Sequence, residues 1–85
     1  MKIAYRRDPQ KALSGMQRAK AEDILTVLDR IAANPFARNN NIRPLKGVPN
    51  GYRVRVGDWR VSYTVDRGTD TIEVFEVAPR GGAYR

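Results

Sequence analysis

Arg53, Arg55 and Arg60 are the side chains of this sequence whose type and spacing point most directly to chemistry. Arg53 and Arg55 alternate with Val54 and Val56, and Arg60 stands between Trp59 and Val61, so extended backbone sends the arginines to one face and the apolar residues to the other. A Gly57-Asp58 turn, with glycine at the first central position as a type II′ turn prefers, closes the two runs into a hairpin. The implied pairs are Val56 with Trp59, Arg55 with Arg60, Val54 with Val61, Arg53 with Ser62 and Tyr52 with Tyr63. A slip of one residue would mix the two faces throughout. Like charges directly opposite each other destabilise a sheet by about 0.2–1 kcal/mol. A bound phosphate reverses that sign, because the forked donors of guanidinium match phosphate oxygens. The competing reading is a set of long side chains that merely snorkel over an exposed sheet face.

The residue types that are missing narrow the chemistry further. The sequence contains neither Cys nor His, which excludes disulfides, thiol nucleophiles, imidazole bases and zinc sites of the usual kind. No metal and no cofactor is expected. Catalysis would draw on Arg, Lys, Tyr, Asp, Glu or Ser, groups suited to electrostatic stabilisation at phosphate rather than to acyl transfer through a triad. Sixteen Lys and Arg against nine Asp and Glu give a net charge of +7, which implies a polyanionic partner if the charges converge on one face. For RNA, the simplest reaction of this kind is in-line attack by the substrate's own 2′-hydroxyl on the adjacent phosphate. The protein then positions the backbone and stabilises negative charge. Lys46, Glu73 and Tyr84 are candidate proton carriers.

The elements that must position these groups are readable from periodicity. At 85 residues the chain is expected to form a single domain, 1–85, with one modest core. No apolar run approaches the roughly 20 residues of a membrane span, and the N-terminus has no stretch of signal-peptide length. A cytoplasmic protein without membrane contact is expected. The alternation from Met1 to Arg7 reads as a first strand. Asp8 as N-cap and Pro9 at the first helical position start a helix over 9–14. Ser14-Gly15 interrupts it, since Gly costs about 1 kcal/mol more than Ala in a helix interior. A second helix over 17–33 places Ala21, Ile24, Leu25, Leu28, Ile31 and Ala32 on one core-facing stripe, and Asn34-Pro35 stops it. A helical hairpin is the reading, with a single bent helix over 9–33 left open. Asn39-Asn40-Asn41 reads as loop.

A last strand, Thr71 to Ala78, pairs Ile72 with Val65 and Val74 with Tyr63. Strict alternation then puts Phe75 and Val77 on the arginine face and Glu76 on the helix-facing side near Val61. The strand end at Ala78-Pro79 delivers Arg80 toward the Gly57 end of the hairpin, from where Tyr84 can fold back beside Arg55 and Arg60. Phe75 and Tyr84 supply stacking surfaces for unpaired bases.

Taken in order, Pro44-Leu45-Lys46-Gly47, then Gly51 to Tyr63 (G-Y-R-V-R-V-G-D-W-R-V-S-Y), then Val74 to Arg80 (V-F-E-V-A-P-R) and Ala83-Tyr84-Arg85 resemble the RelE branch of the RelE/ParE toxin superfamily. The resemblance runs over essentially the whole chain. It implies an α+β fold: an N-terminal strand, a helical hairpin, then antiparallel strands forming a small sheet with helices packed on one face. The implied activity is that of a type II toxin, a metal-independent endoribonuclease that cleaves messenger RNA on the ribosome with contacts to 16S ribosomal RNA. A cognate antitoxin holds such toxins inactive, the free toxin being a monomer and the inhibited form a hetero-oligomer. By motif, Arg60, Arg80, Arg55 and Tyr84 take the catalytic positions, and Arg53, Lys46 and Phe75 the RNA-binding ones. The sequence departs from many relatives in having Pro79 where they carry His before the terminal arginine, and Gly81-Gly82 in place of a charged pair. Two other functions fit the same residues less well. One is a ParE-type inhibitor of DNA gyrase. The other is a non-catalytic RNA-binding module, for which the basic face alone suffices.

Overall fold

The Gly57-Asp58 hairpin forms in the register its residues dictate: Arg55 lies opposite Arg60, Val54 opposite Val61 and Tyr52 opposite Tyr63. Gly57 has φ 58° and Asp58 is not among the positive-φ residues, the signs of a type II′ turn. The computed structural model describes residues 1–79. They form β1 (Lys2–Tyr5), α1 (Arg7–Gly15), α2 (Arg18–Ala33), β2 (Ile42–Pro44), β3 (Gly51–Val56), β4 (Trp59–Asp66) and β5 (Thr71–Pro79). These strands build one sheet in the order β1-β5-β4-β3-β2. Every neighbouring pair is antiparallel except β1 with β5, which run parallel with Ile3 beside Ile72.

Two helices form, and not one bent helix, because Met16 and Gln17 are both extended, with ψ 169° and 141°. The start of α1 differs from expectation. Arg6 is the N-cap residue, so Asp8 lies inside the first turn and Pro9 one residue later. Arg6 makes no side-chain capping hydrogen bond, and Asp8 sits where the helix dipole favours an anion. Pro9 is tolerated because the first amides of a helix need no intrahelical acceptor, and its ring is buried.

Ile24, Leu28, Ile31 and Ala32 of α2 are buried against Val54, Val61, Tyr63, Val65, Ile72, Val74 and Val77 of the sheet. Leu25, read from the sequence as a core residue, is 39% exposed. It lies at the rim of the stripe, and Val27 on the opposite rim is the side chain that packs inward. Tyr63 is fully buried, stacked on Tyr52 with ring centroids 5.8 Å apart. Its hydroxyl has no hydrogen-bond partner among the described residues. Burial first, and then the neighbouring Tyr52, push its pKa up to about 12. The Tyr5 phenol is raised as well, by burial and by the charge of Asp29.

The largest departure from strict alternation is a β-bulge. Tyr63 pairs with Val74 but Ser62 pairs with Glu76, so Phe75 is an extra residue without a partner on β4. Beyond the bulge the faces are exchanged relative to expectation: Val77 pairs with Val61 in the core, and Glu76 joins the arginine face. A carboxylate is thereby kept out of the apolar layer, which it would destabilise severely. Deleting Phe75 restores an unbulged ladder with the same residues inward. The deletion variant is expected to unfold cooperatively in urea with a smaller loss than the 2–5 kcal/mol or so typical of a buried Leu→Ala change such as Leu28→Ala. A loss larger than that of Leu28→Ala would mean that Phe75 itself holds the fold.

Candidate nucleic-acid interface

On the sheet face away from the helices, strand pairing lays down two adjacent rows that are polar except at Ala78. One runs Arg43, Arg53, Ser62, Glu76 across β2, β3, β4 and β5. The other runs Arg55, Arg60, Ala78, and is extended beyond β3 by Asn41, whose carbonyl accepts the Arg55 amide at 3.1 Å. Arg43, Arg53, Arg55 and Arg60 line one cleft of about 500 Å³, together with Asn40, Asn41, Pro44 and Leu45. None of these lining residues is acidic. Arg53, Arg55 and Arg60 thus share one cleft with Arg43, and backbone register, not a flexible loop, brings the four together.

The members of the cleft are held differently. Arg53 donates from Nε to Ser62 Oγ at 3.3 Å, Ser62 donates to Glu76 Oε1 at 3.1 Å, and Arg53 lies 3.6 Å from the same carboxylate oxygen. Ser62, with 0% exposure, is thus a buried hydroxyl with both donor and acceptor roles used. This explains Glu76, which the bulge brings to the arginine face as a partner for Arg53. It also makes Arg53 a cation already engaged in the fold. Arg43 and Arg55 are exposed, and Arg60 is half-buried. Ser62→Ala removes the hydroxyl between two charged groups and is expected to lower stability by about 1–2 kcal/mol, read from the urea midpoint at constant slope.

The other expected site residues fare unevenly. Lys46 is exposed in the turn after β2 and is not part of the cleft lining. Phe75 is half-buried at the bulge and stands outside the core cluster. Glu73 pairs with Arg6 at 3.4 Å, far along β5 from the arginines, so its carboxylate is engaged elsewhere. Pro79 pairs with Trp59 beside the hairpin turn, while Arg80 and Tyr84 lie outside the described residues. Sequence reasoning missed Arg43, Asn40 and Asn41. The signal for Arg43 was the inward Ile42 followed by an outward arginine, too short a run to read as a strand.

The model of the family described as the ParE toxin of type II toxin-antitoxin systems matches residues 4–84. This chain belongs to that family. It is a toxin of the RelE/ParE superfamily, and its relatives carry both names. A Methanocaldococcus jannaschii relative bearing the name RelE1 is 29% identical over 76 residues, which is 88% of this chain and 84% of the relative. In the crystal structure of the archaeal RelE-RelB complex from Pyrococcus horikoshii OT3, one chain superposes with a TM-score of 0.81 at 28% identity, covering 96% of this toxin and 97% of that chain. The isolated Escherichia coli RelE toxin shares the fold, with a TM-score of 0.80 at 18% identity over 96% of this chain and 86% of its own. No helix among the described residues of the toxin is long and apolar enough to cross a membrane.

Proposed function

We propose that this toxin is a RelE-type, ribosome-dependent endoribonuclease of the cytoplasm that cleaves messenger RNA without a metal ion. The observation that carries the reading is the set of four arginines lining one cleft, with Arg55 and Arg60 directly opposed across β3 and β4. Guanidinium groups brought together from adjacent strands offer forked donors that match the oxygens of a phosphate. Bound single-stranded RNA would place its scissile phosphate against Arg55 and Arg60. In-line attack by the 2′-hydroxyl, whose proton passes to solvent, forms a 2′,3′-cyclic phosphate and breaks the bond to the 5′-oxygen of the next nucleotide, which takes up a proton from solvent, while the guanidinium groups stabilise the charge that develops on the phosphoryl oxygens. Arg80 and Tyr84 are assigned to the same reaction by motif, Arg80 on phosphate and Tyr84 stacking on a base, with Arg53, Lys46 and Phe75 as RNA contacts. In this reading Arg53 contributes to the field of the cleft through a side chain fixed by Ser62 and Glu76.

The partner proposed for the inhibited state is a cognate antitoxin, since related RelE chains are crystallised with RelB. Free toxin would be a monomer and the complex a hetero-oligomer. Copurification of the toxin with the product of an adjacent reading frame checks this.

The match to the ParE family model supports a second reading, poisoning of DNA gyrase. Induction of the toxin in bacterial cells, with messenger 5′ ends mapped for wild type and Arg60→Ala, separates the two. Cuts that require translation and vanish in the variant support the nuclease. DNA-damage signalling with intact messages supports the gyrase reading and overturns the first.

A further inference from the structure

We infer that Asn40 and Asn41 are specificity-determining residues that read the edge of a base beside the phosphate held by the arginine cleft, with adenine as the preferred base. The inference rests on the nucleic-acid reading of the cleft and adds to it the chemistry of selection. Arginines bind phosphate in any sequence, so they give the site affinity without discrimination. Selecting adenine calls for a group that presents a donor and an acceptor side by side, which a guanidinium does not. In the cleft lining, the side chains that do so are those of Asn40 and Asn41.

The loop that carries them is fixed with respect to the arginines. Asn39 uses its own side chain to accept the Asn41 amide at 2.8 Å, and its carbonyl accepts the Ile42 amide at 3.2 Å. The Asn41 carbonyl accepts the Arg55 amide at 3.1 Å, which docks the loop on β3 at the residue opposite Arg60. Asn39 is thus spent on structure, whereas Asn40 and Asn41 are exposed and line the cleft. An asparagine amide matches the adjacent amine donor and ring-nitrogen acceptor of adenine in a bidentate pair. Single-stranded RNA exposes such edges because its bases can be splayed out of the stack.

The test uses the purified toxin and labelled RNA hexamers of equal length and phosphate number, one all adenine and one all uracil, titrated by fluorescence anisotropy. Wild type is expected to favour the adenine hexamer by roughly tenfold, the scale of one bidentate base contact. Asn40→Ala/Asn41→Ala is expected to lose that preference while its affinity for the uracil hexamer stays at the wild-type level. Both positions are exposed and the Arg55 docking bond uses backbone only, so circular dichroism should be unchanged. Arg55→Ala should weaken both hexamers alike. If Arg55→Ala weakens both but the asparagine variant keeps the wild-type ratio, base reading by Asn40 and Asn41 is overturned and the phosphate cleft stands. If Arg55→Ala changes neither, or wild type binds neither hexamer, the cleft itself fails and this inference falls with it.

Discussion

Arg60→Ala is expected to slow cleavage of messenger on programmed ribosomes by roughly 10²–10³-fold, the usual effect of removing one preorganised donor from a charge-stabilising site. Arg60 is fixed in the middle of the sheet opposite Arg55, so its position depends on β3–β4 register and not on a loop that could reorganise around the loss. Arg55→Ala should reduce the rate in the same direction. Its effect on stability should be neutral or slightly favourable, because the exposed arginine faces a like charge across the strand. Activity and stability moving in opposite directions is the signature of a side chain kept for its substrate. The double variant should lose less than the product of the single losses, since both groups act on one phosphate. Single-turnover cleavage alongside thermal melts measures all of these quantities. Rates for both single variants equal to wild type would remove the arginine pair from the mechanism.

Alkaline pH should expose a second property of the fold. The Tyr63 phenol ionises near pH 10 in the unfolded chain but only near pH 12 in the folded one. A raised folded-state pKa means that stability is complete below about pH 10 and drains away as pH rises toward 12, because the unfolded chain releases the proton first. Two pH units correspond to about 3 kcal/mol. Tyr5, shifted in the same direction, adds to the loss. Tyr63→Phe removes the main contributor and also a buried hydroxyl without a partner among the described residues. It is expected to be about 1 kcal/mol more stable than wild type at neutral pH, with a clearly flatter profile between pH 10 and 12. Urea denaturation at stepped pH tests both statements. A Tyr63→Phe profile as steep as that of wild type would assign the alkaline loss to other groups.

The β3–β4 hairpin was legible in the sequence because turn chemistry and a period of two agreed on one register, and the arginine face followed from it directly. The helical hairpin was legible from Ser14-Gly15 and from the stripe of α2, although Leu25 at the rim of that stripe could not be told from a core residue by spacing alone. Less legible was β5. Apolar residues at 72, 74 and 77 break the alternation by one position, and that break is the bulge; extending the period through it inverted Glu76 and Val77. Arg43 escaped because a three-residue strand ending in proline carries almost no periodic signal, and Asn40 and Asn41 because a loop's place against a neighbouring strand has no local signature at all. Each failure occurs where tertiary pairing, not local pattern, decides which way a side chain points.

The parallel pairing of β1 with β5 joins the first and the last strand of the described residues, about 70 positions apart in the sequence. During vectorial synthesis β1 therefore leaves the ribosome without its hydrogen-bonding neighbour and must wait until residues 71–74 have emerged. Until then Ile24 and Leu28 also lack Ile72 and Val74 as the far wall of their core. A nascent chain released before that point has neither a completed sheet nor a closed interior.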